Sequence, residues 1–172
     1  MPLSASTAAS AGAPSTTAAP SSPASPSLAT LPAKQCLTGR YALVRFVAVG
    51  GSSTYGTGQG GDVTLTFGGG RYTLAGAGRK PVVVTLAGQS GDLTVDGESN
   101  GRYTLAGGTA TFLPGSATGG GTLTDGSGGD RTKVTMKQVD SVIGLDGDGQ
   151  VACTDQAMTL TLAAIRLELA RS

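Results

Sequence analysis

Two cysteines, eleven carboxylates, four tyrosines and no histidine set the chemical repertoire of this chain. Without histidine, Ser–His and Cys–His nucleophile systems cannot be assembled, and the commonest general base is missing. Asp92, Asp96 and Glu98 form a small acidic group of the kind a glycosidase pairs. They border a glycine turn, where such charges keep a surface soluble. Asp146-Gly147-Asp148-Gly149 resembles the start of a calcium loop but lacks the later ligands and the bidentate Glu. Asp-Gly is also the favoured hairpin dipeptide, so a turn is expected there. Gly68-Gly69-Gly70 is no phosphate loop, because no Lys-Ser/Thr follows and no helix opens after it. No catalytic residue, metal ligand set or cofactor is expected, and the chain reads as non-enzymatic.

The cysteines carry the most information. Cys36 opens the part of the chain expected to be ordered, and Cys153 stands just before its final strand. One cysteine at each end suits a staple between first and last strands. The alternatives are two buried free thiols or metal ligation, the latter poorly supported without His or a second nearby Cys. A disulfide would place the chain in an oxidising compartment.

The elements that position these residues are short strands. Gly-Arg-Tyr-Thr-Leu-Ala-Gly occurs twice, at residues 70–76 and 101–107. In each copy Tyr and Leu lie two apart between glycines, the period-2 mark of a half-buried strand. Residues 63–67 and 71–75 are expected to form a hairpin, followed by strands over 82–87, 92–96, 102–106 and 109–113. Turns are expected at 97–101 and at Pro114-Gly115, with a weak strand over 119–124 and another over 132–137 that points Val134 and Met136 inward. Residues 139–145 are ambiguous between strand and helical turn. The first strand, 37–49, should place Tyr41, Leu43, Val47 and Val49 on one face. Residues 50–61, with Tyr55, read as a polar surface loop, or as a lid. The phase change between Leu162 and Ile165 requires a bulge or tight bend at Ala163-Ala164. Eight to ten strands at this spacing predict an all-β antiparallel meander, closed into a small barrel or packed as a sandwich.

Of the first 33 residues, 28 are Ala, Ser, Pro or Thr and none is charged. Such a stretch cannot offset its ordering entropy by burial, so residues 1–33 read as a disordered spacer, with residues 34–172 as the single domain. The spacer would reach roughly 30 Å. Twelve basic against eleven acidic groups give no steering field for nucleic acid. No segment holds the ~18–20 apolar residues of a transmembrane helix. Composition points to an extracytoplasmic address without a readable signal peptide, so any signal or lipid anchor is expected upstream of Met1.

The opening Cys36-Leu37-Thr38-Gly39-Arg40-Tyr41, the Gly-x-Tyr-Thr strands and the closing Ala152-Cys153-Thr154-Asp155-Gln156-Ala157-Met158-Thr159-Leu160 resemble the lipocalin-like small domains of actinobacterial secreted and envelope lipoproteins. Residues 101–108 also resemble META-type β domains. The lipocalin resemblance implies a calycin-type barrel, secretion and an apolar ligand, and no catalytic residue. Tyr41, Tyr72, Leu74, Tyr103, Leu105 and Phe112 are then the candidate ligand-binding residues of a monomer. The other expectation is a structural or protein-interaction domain of the envelope, with the barrel filled by its own side chains.

Overall fold

Alternating apolar residues separated by glycine turns produce, in the computed structural model, a sheet that closes on itself. The structure describes residues 29–50, 56–143 and 145–172. The expected spacer, up to residue 28, and the lid residue Tyr55 lie outside them. The elements are α1 (Ala33–Cys36), β1 (Gly39–Ala48), β2 (Thr57–Gly60), β3 (Thr64–Gly68), β4 (Arg71–Ala77), β5 (Val82–Leu86), β6 (Gln89–Ala106), β7 (Thr109–Asp125), β8 (Arg131–Thr135), α2 (Met136–Ile143), β9 (Gly147–Cys153), β10 (Ala157–Leu162) and β11 (Ile165–Arg171).

Eight of these strands form a ring in the order β1, β3, β4, β6, β7, β9, β10, β11, sealed by the antiparallel β1–β11 pair. All pairings are antiparallel, and the ring strands follow one another in chain order, as in an up-and-down barrel. A closed antiparallel barrel is the expected architecture, and the strand pairings show it. β2 and β5 extend the wall beyond β3 and β4. β2 pairs with the second half of β1 and β5 with the start of β6. Closure pairs every ring strand on both sides, and β8, paired with β7 alone, keeps an edge.

Several local expectations are corrected. Residues 50–61 are not all loop, because Thr57–Gly60 pair on both sides, with β1 and with β5. In β1 the register against β11 shifts between Leu43 and Arg45. The extra residue, Val44, turns outward, so the buried set is Tyr41, Leu43 and Phe46 rather than Tyr41, Leu43, Val47 and Val49. No turn forms at 97–101. β6 runs through it, because Gly97 is used for close approach: a Cβ there would lie 2.6 Å from the Thr118 carbonyl oxygen. β7 likewise continues past Pro114, which sits at the register shift of the β6–β7 ladder, where a missing N–H is tolerated. Asp92, Asp96 and Glu98 therefore lie on the exposed face of a strand. Asp146-Gly147-Asp148-Gly149 runs into β9 rather than forming a hairpin turn, and Asp148 Oδ1 accepts a 2.6 Å hydrogen bond from the Thr111 hydroxyl. Of the two alternatives at Ala163-Ala164, the tight bend is the one that forms, as the turn of the β10–β11 hairpin.

Residues 136–143 resolve as helix. Met136, Val139 and Ile143 bury one face of α2, at helical spacing. Thr135 and Gln138 form a capping box at its start. The Thr135 N–H donates to Gln138 Oε1 at 2.8 Å, and the Gln138 N–H donates to Thr135 Oγ1 at 3.3 Å. Met136 is buried as expected, but from the helix and not from a strand.

The cysteines are joined as Cys36–Cys153, with Cα atoms 5.6 Å apart. The bond ties α1, rather than the first strand, to the end of β9. Leu31 joins the same corner through its N–H to the Cys153 carbonyl at 2.9 Å.

Candidate functional site

Five aromatic rings fill the barrel at the α1 end. Phe67 meets Tyr41, Tyr103 and Phe112 at centroid distances of 6.1, 5.9 and 6.4 Å, and Phe112 meets Tyr72 at 5.7 Å. The contacts are mostly edge-to-face, the preferred geometry for ring quadrupoles. Each tyrosine also fastens a backbone carbonyl through its hydroxyl. Tyr41 donates to Cys36 at 2.7 Å, Tyr103 to Leu37 at 2.8 Å and Tyr72 to Leu145 at 3.1 Å. The acceptors lie in α1, just after it, and between α2 and β9. The ring cluster thus anchors α1 and the segment that leaves α2.

Four of the six candidate ligand residues, Tyr41, Tyr72, Leu74 and Phe112, are sealed within this packing. The other two differ. Tyr103 and Leu105 are half-buried and border a cleft of about 460 Å³ that opens to solvent at the α1 mouth of the barrel. Leu37 and the Gly69-Gly70 backbone line it with them, and Lys34 stands at its edge. β6 supplies Tyr103 and Leu105 on its inner face, the β3–β4 turn supplies the glycines, and α1 supplies the lysine. The disulfide fixes α1 across the mouth. An apolar body could lie against Leu37, Tyr103 and Leu105 while an anionic end met the ammonium. The presence of Leu37 and Lys34 was not legible from strand periodicity, since both reach the mouth through a short helix.

The opposite mouth is more polar. A cleft of about 430 Å³ lies between β5, β6, β7 and β8, with Leu86 and Leu123 on its floor. Both leucines also bound an apolar pocket of about 60 Å³ beneath α2. At its rim, Asp125 is held below the usual carboxylate range by the Ser127 hydroxyl, with backbone N–H groups of the β7–β8 turn adding to the effect. Its charge serves the turn.

The displaced titrations inside the barrel have structural causes. Burial pushes the Tyr72 phenol up to about 12, and the Asp140 and Asp146 carboxylates add to the shift. Burial raises Asp140, against the opposing hydrogen bond from Ser99. Burial also raises Tyr41 and Tyr103. Tyr72 is buried and already donates its proton to a carbonyl, so it offers no accessible nucleophile. Among the described residues, no group of three His, Cys, Asp or Glu side chains stands together as a metal site, and no helix is long and apolar enough to cross a membrane.

No protein-family model matches this chain, and no curated protein does. Among solved structures, it is similar to a lipocalin-like protein from Bacteroides uniformis, with 14% identity and a TM-score of 0.40 over 79% of this chain and 98% of that one. It is also similar to an uncharacterized protein from Bacteroides eggerthii, with 12% identity and a TM-score of 0.44 over 79% of this chain and 99% of that one. Barrel closure rests on the strand pairings described above.

Proposed function

We propose that residues 34–172 form a non-enzymatic, extracytoplasmic lipocalin-like binding domain that takes a small apolar ligand at the α1 mouth of the barrel. One observation carries this reading: Tyr103 and Leu105, from the second repeat, border an open cleft of about 460 Å³ with Leu37 and Lys34. Ligand pockets combine an apolar lining with a few placed polar groups, and a cleft of this volume suits a small molecule. The Cys36–Cys153 bond supports an oxidising compartment such as the cell envelope. The chain then acts by sequestering or presenting its ligand.

A structural or protein-interaction role is the second reading, favoured by the five-ring cluster that fills the barrel interior. Binding of a fluorescent fatty-acid analogue to the full chain separates the two. Saturable one-to-one binding that Leu105→Arg abolishes, with the near-UV circular dichroism unchanged, supports the ligand site. Binding that never saturates, or that Leu105→Arg leaves intact, overturns it and favours the interaction domain.

A further inference from the structure

The Gly-Arg-Tyr starts of the two Gly-Arg-Tyr-Thr-Leu-Ala-Gly copies face each other, antiparallel, across β4 and β6. Tyr72 of the first copy is the register partner of Gly101 in the second. Reciprocally, the Tyr103 N–H donates to the Gly70 carbonyl at 2.9 Å. Between these two Tyr–Gly pairs, Arg71 and Arg102 stand directly opposite one another. Strand alternation sends the tyrosines inward and both arginines outward. Like charges directly opposite destabilise a sheet unless something neutralises them.

Nothing in the protein does so among the described residues. Their ion pairs are Arg45–Glu168 and Arg166–Glu168. Glu98, on the same outer face of β6, accepts a 2.7 Å hydrogen bond from Asn100 Nδ2. Both arginines instead border a surface depression of about 260 Å³, which the register shift of the β6–β7 ladder opens at Gly115 and Ser116.

The geometry points to a binding site for a phosphate-class oxyanion between Arg71 and Arg102. Guanidinium forks engage such groups bidentately, and an anion held between two of them offsets their mutual repulsion. Ser116 places a hydroxyl at the same depression. Leu113 lies beside it, 57% exposed, and provides apolar contact when the anion is a lipid headgroup. The site is on the outer wall and is independent of the ligand cleft.

The test is a titration of the full chain with inorganic phosphate at constant ionic strength, read by amide chemical shifts. Saturable shifts centred on residues 71, 100–102 and 115–116 are expected. Arg71→Gln or Arg102→Gln should weaken the affinity roughly tenfold or more, the scale of a lost charged hydrogen bond. Arg71→Lys/Arg102→Lys keeps the charge but removes the forks, and should also weaken binding. Arg79→Gln/Lys80→Gln should leave it unchanged. Flotation with vesicles of phosphatidylglycerol in phosphatidylcholine identifies the source. Retention of the wild type but not of Arg71→Gln/Arg102→Gln assigns a lipid headgroup, and phosphate binding without flotation assigns a free anion. Shifts that do not saturate, or that persist in the double Gln variant, overturn the site.

Discussion

The ring of Tyr72 occupies the space that a side chain on Gly101, its register partner, would need. The pairing lets Tyr72 reach across the barrel, where its hydroxyl meets the Leu145 carbonyl at 3.1 Å and its ring meets Phe112 at 5.7 Å. One missing Cβ on β6 therefore supports contacts to β7 and to the segment leaving α2.

Gly101→Ala should overpack this contact and cost about 1–3 kcal/mol. Gly68 is the control, because a Cβ there meets nothing within 4 Å and its backbone is not left-handed. Gly68→Ala should change stability by no more than about 0.5 kcal/mol. Urea unfolding of both variants checks the difference, and equal midpoints would sink the packing account.

Removing the disulfide should cost far more. Cys36 and Cys153 are 117 residues apart, and closing so long a loop is worth about 5 kcal/mol in the chain-entropy model. The variant Cys36→Ala/Cys153→Ala should lose much of that in urea, and a reducing agent should lower the wild-type midpoint but not the variant's.

Alkaline pH should unfold the protein partly through Tyr72. Burial raises its pKa to about 12 from an ordinary 10.0, so the folded state holds the proton more tightly than the unfolded one. The associated stability is complete below pH 10 and is lost as pH rises from there toward 12. The raised pKa values of Tyr41 and Tyr103 act in the same direction. Tyr72→Phe should lose about 1 kcal/mol at neutral pH with the hydrogen bond to Leu145, and its stability should fall less steeply above pH 10. Urea midpoints from pH 7 to 11.5 measure both effects.

The α2 cap is a separable feature. Thr135→Ala removes the side-chain acceptor of the Gln138 N–H and should cost about 1 kcal/mol. Hydrogen exchange at residues 136–143 should rise first, because the change is local to the helix start. Uniform loss of protection across the barrel would contradict this.

Composition and periodicity determined the fold class, because alternating Val, Leu, Tyr and Thr between glycines can bury only one face of a strand. The β3–β4 hairpin, the β5 and β10 strands and the inward Tyr72 and Phe112 follow from that alternation alone. Its limits lay at residues whose role is relational. Gly97 and Gly101 resemble a turn in sequence, yet they sit mid-strand, because they face a neighbouring backbone and a tyrosine ring that sequence does not place. The bulge at Val44 depends on the β11 register. The helix α2 did have a local signal, the Thr135–Gln138 capping box with apolar residues at 136, 139 and 143, but the run is short enough to suit a strand as well. The candidate ligand residues divide for the same reason. Alternation places Tyr41, Tyr72, Leu74, Tyr103, Leu105 and Phe112 on inward faces. Only ring closure and the position of α1 decided that four are packed away while Tyr103 and Leu105 meet a cleft. Periodicity fixes which face a residue is on, whereas the volume left on that face depends on what the rest of the chain puts there.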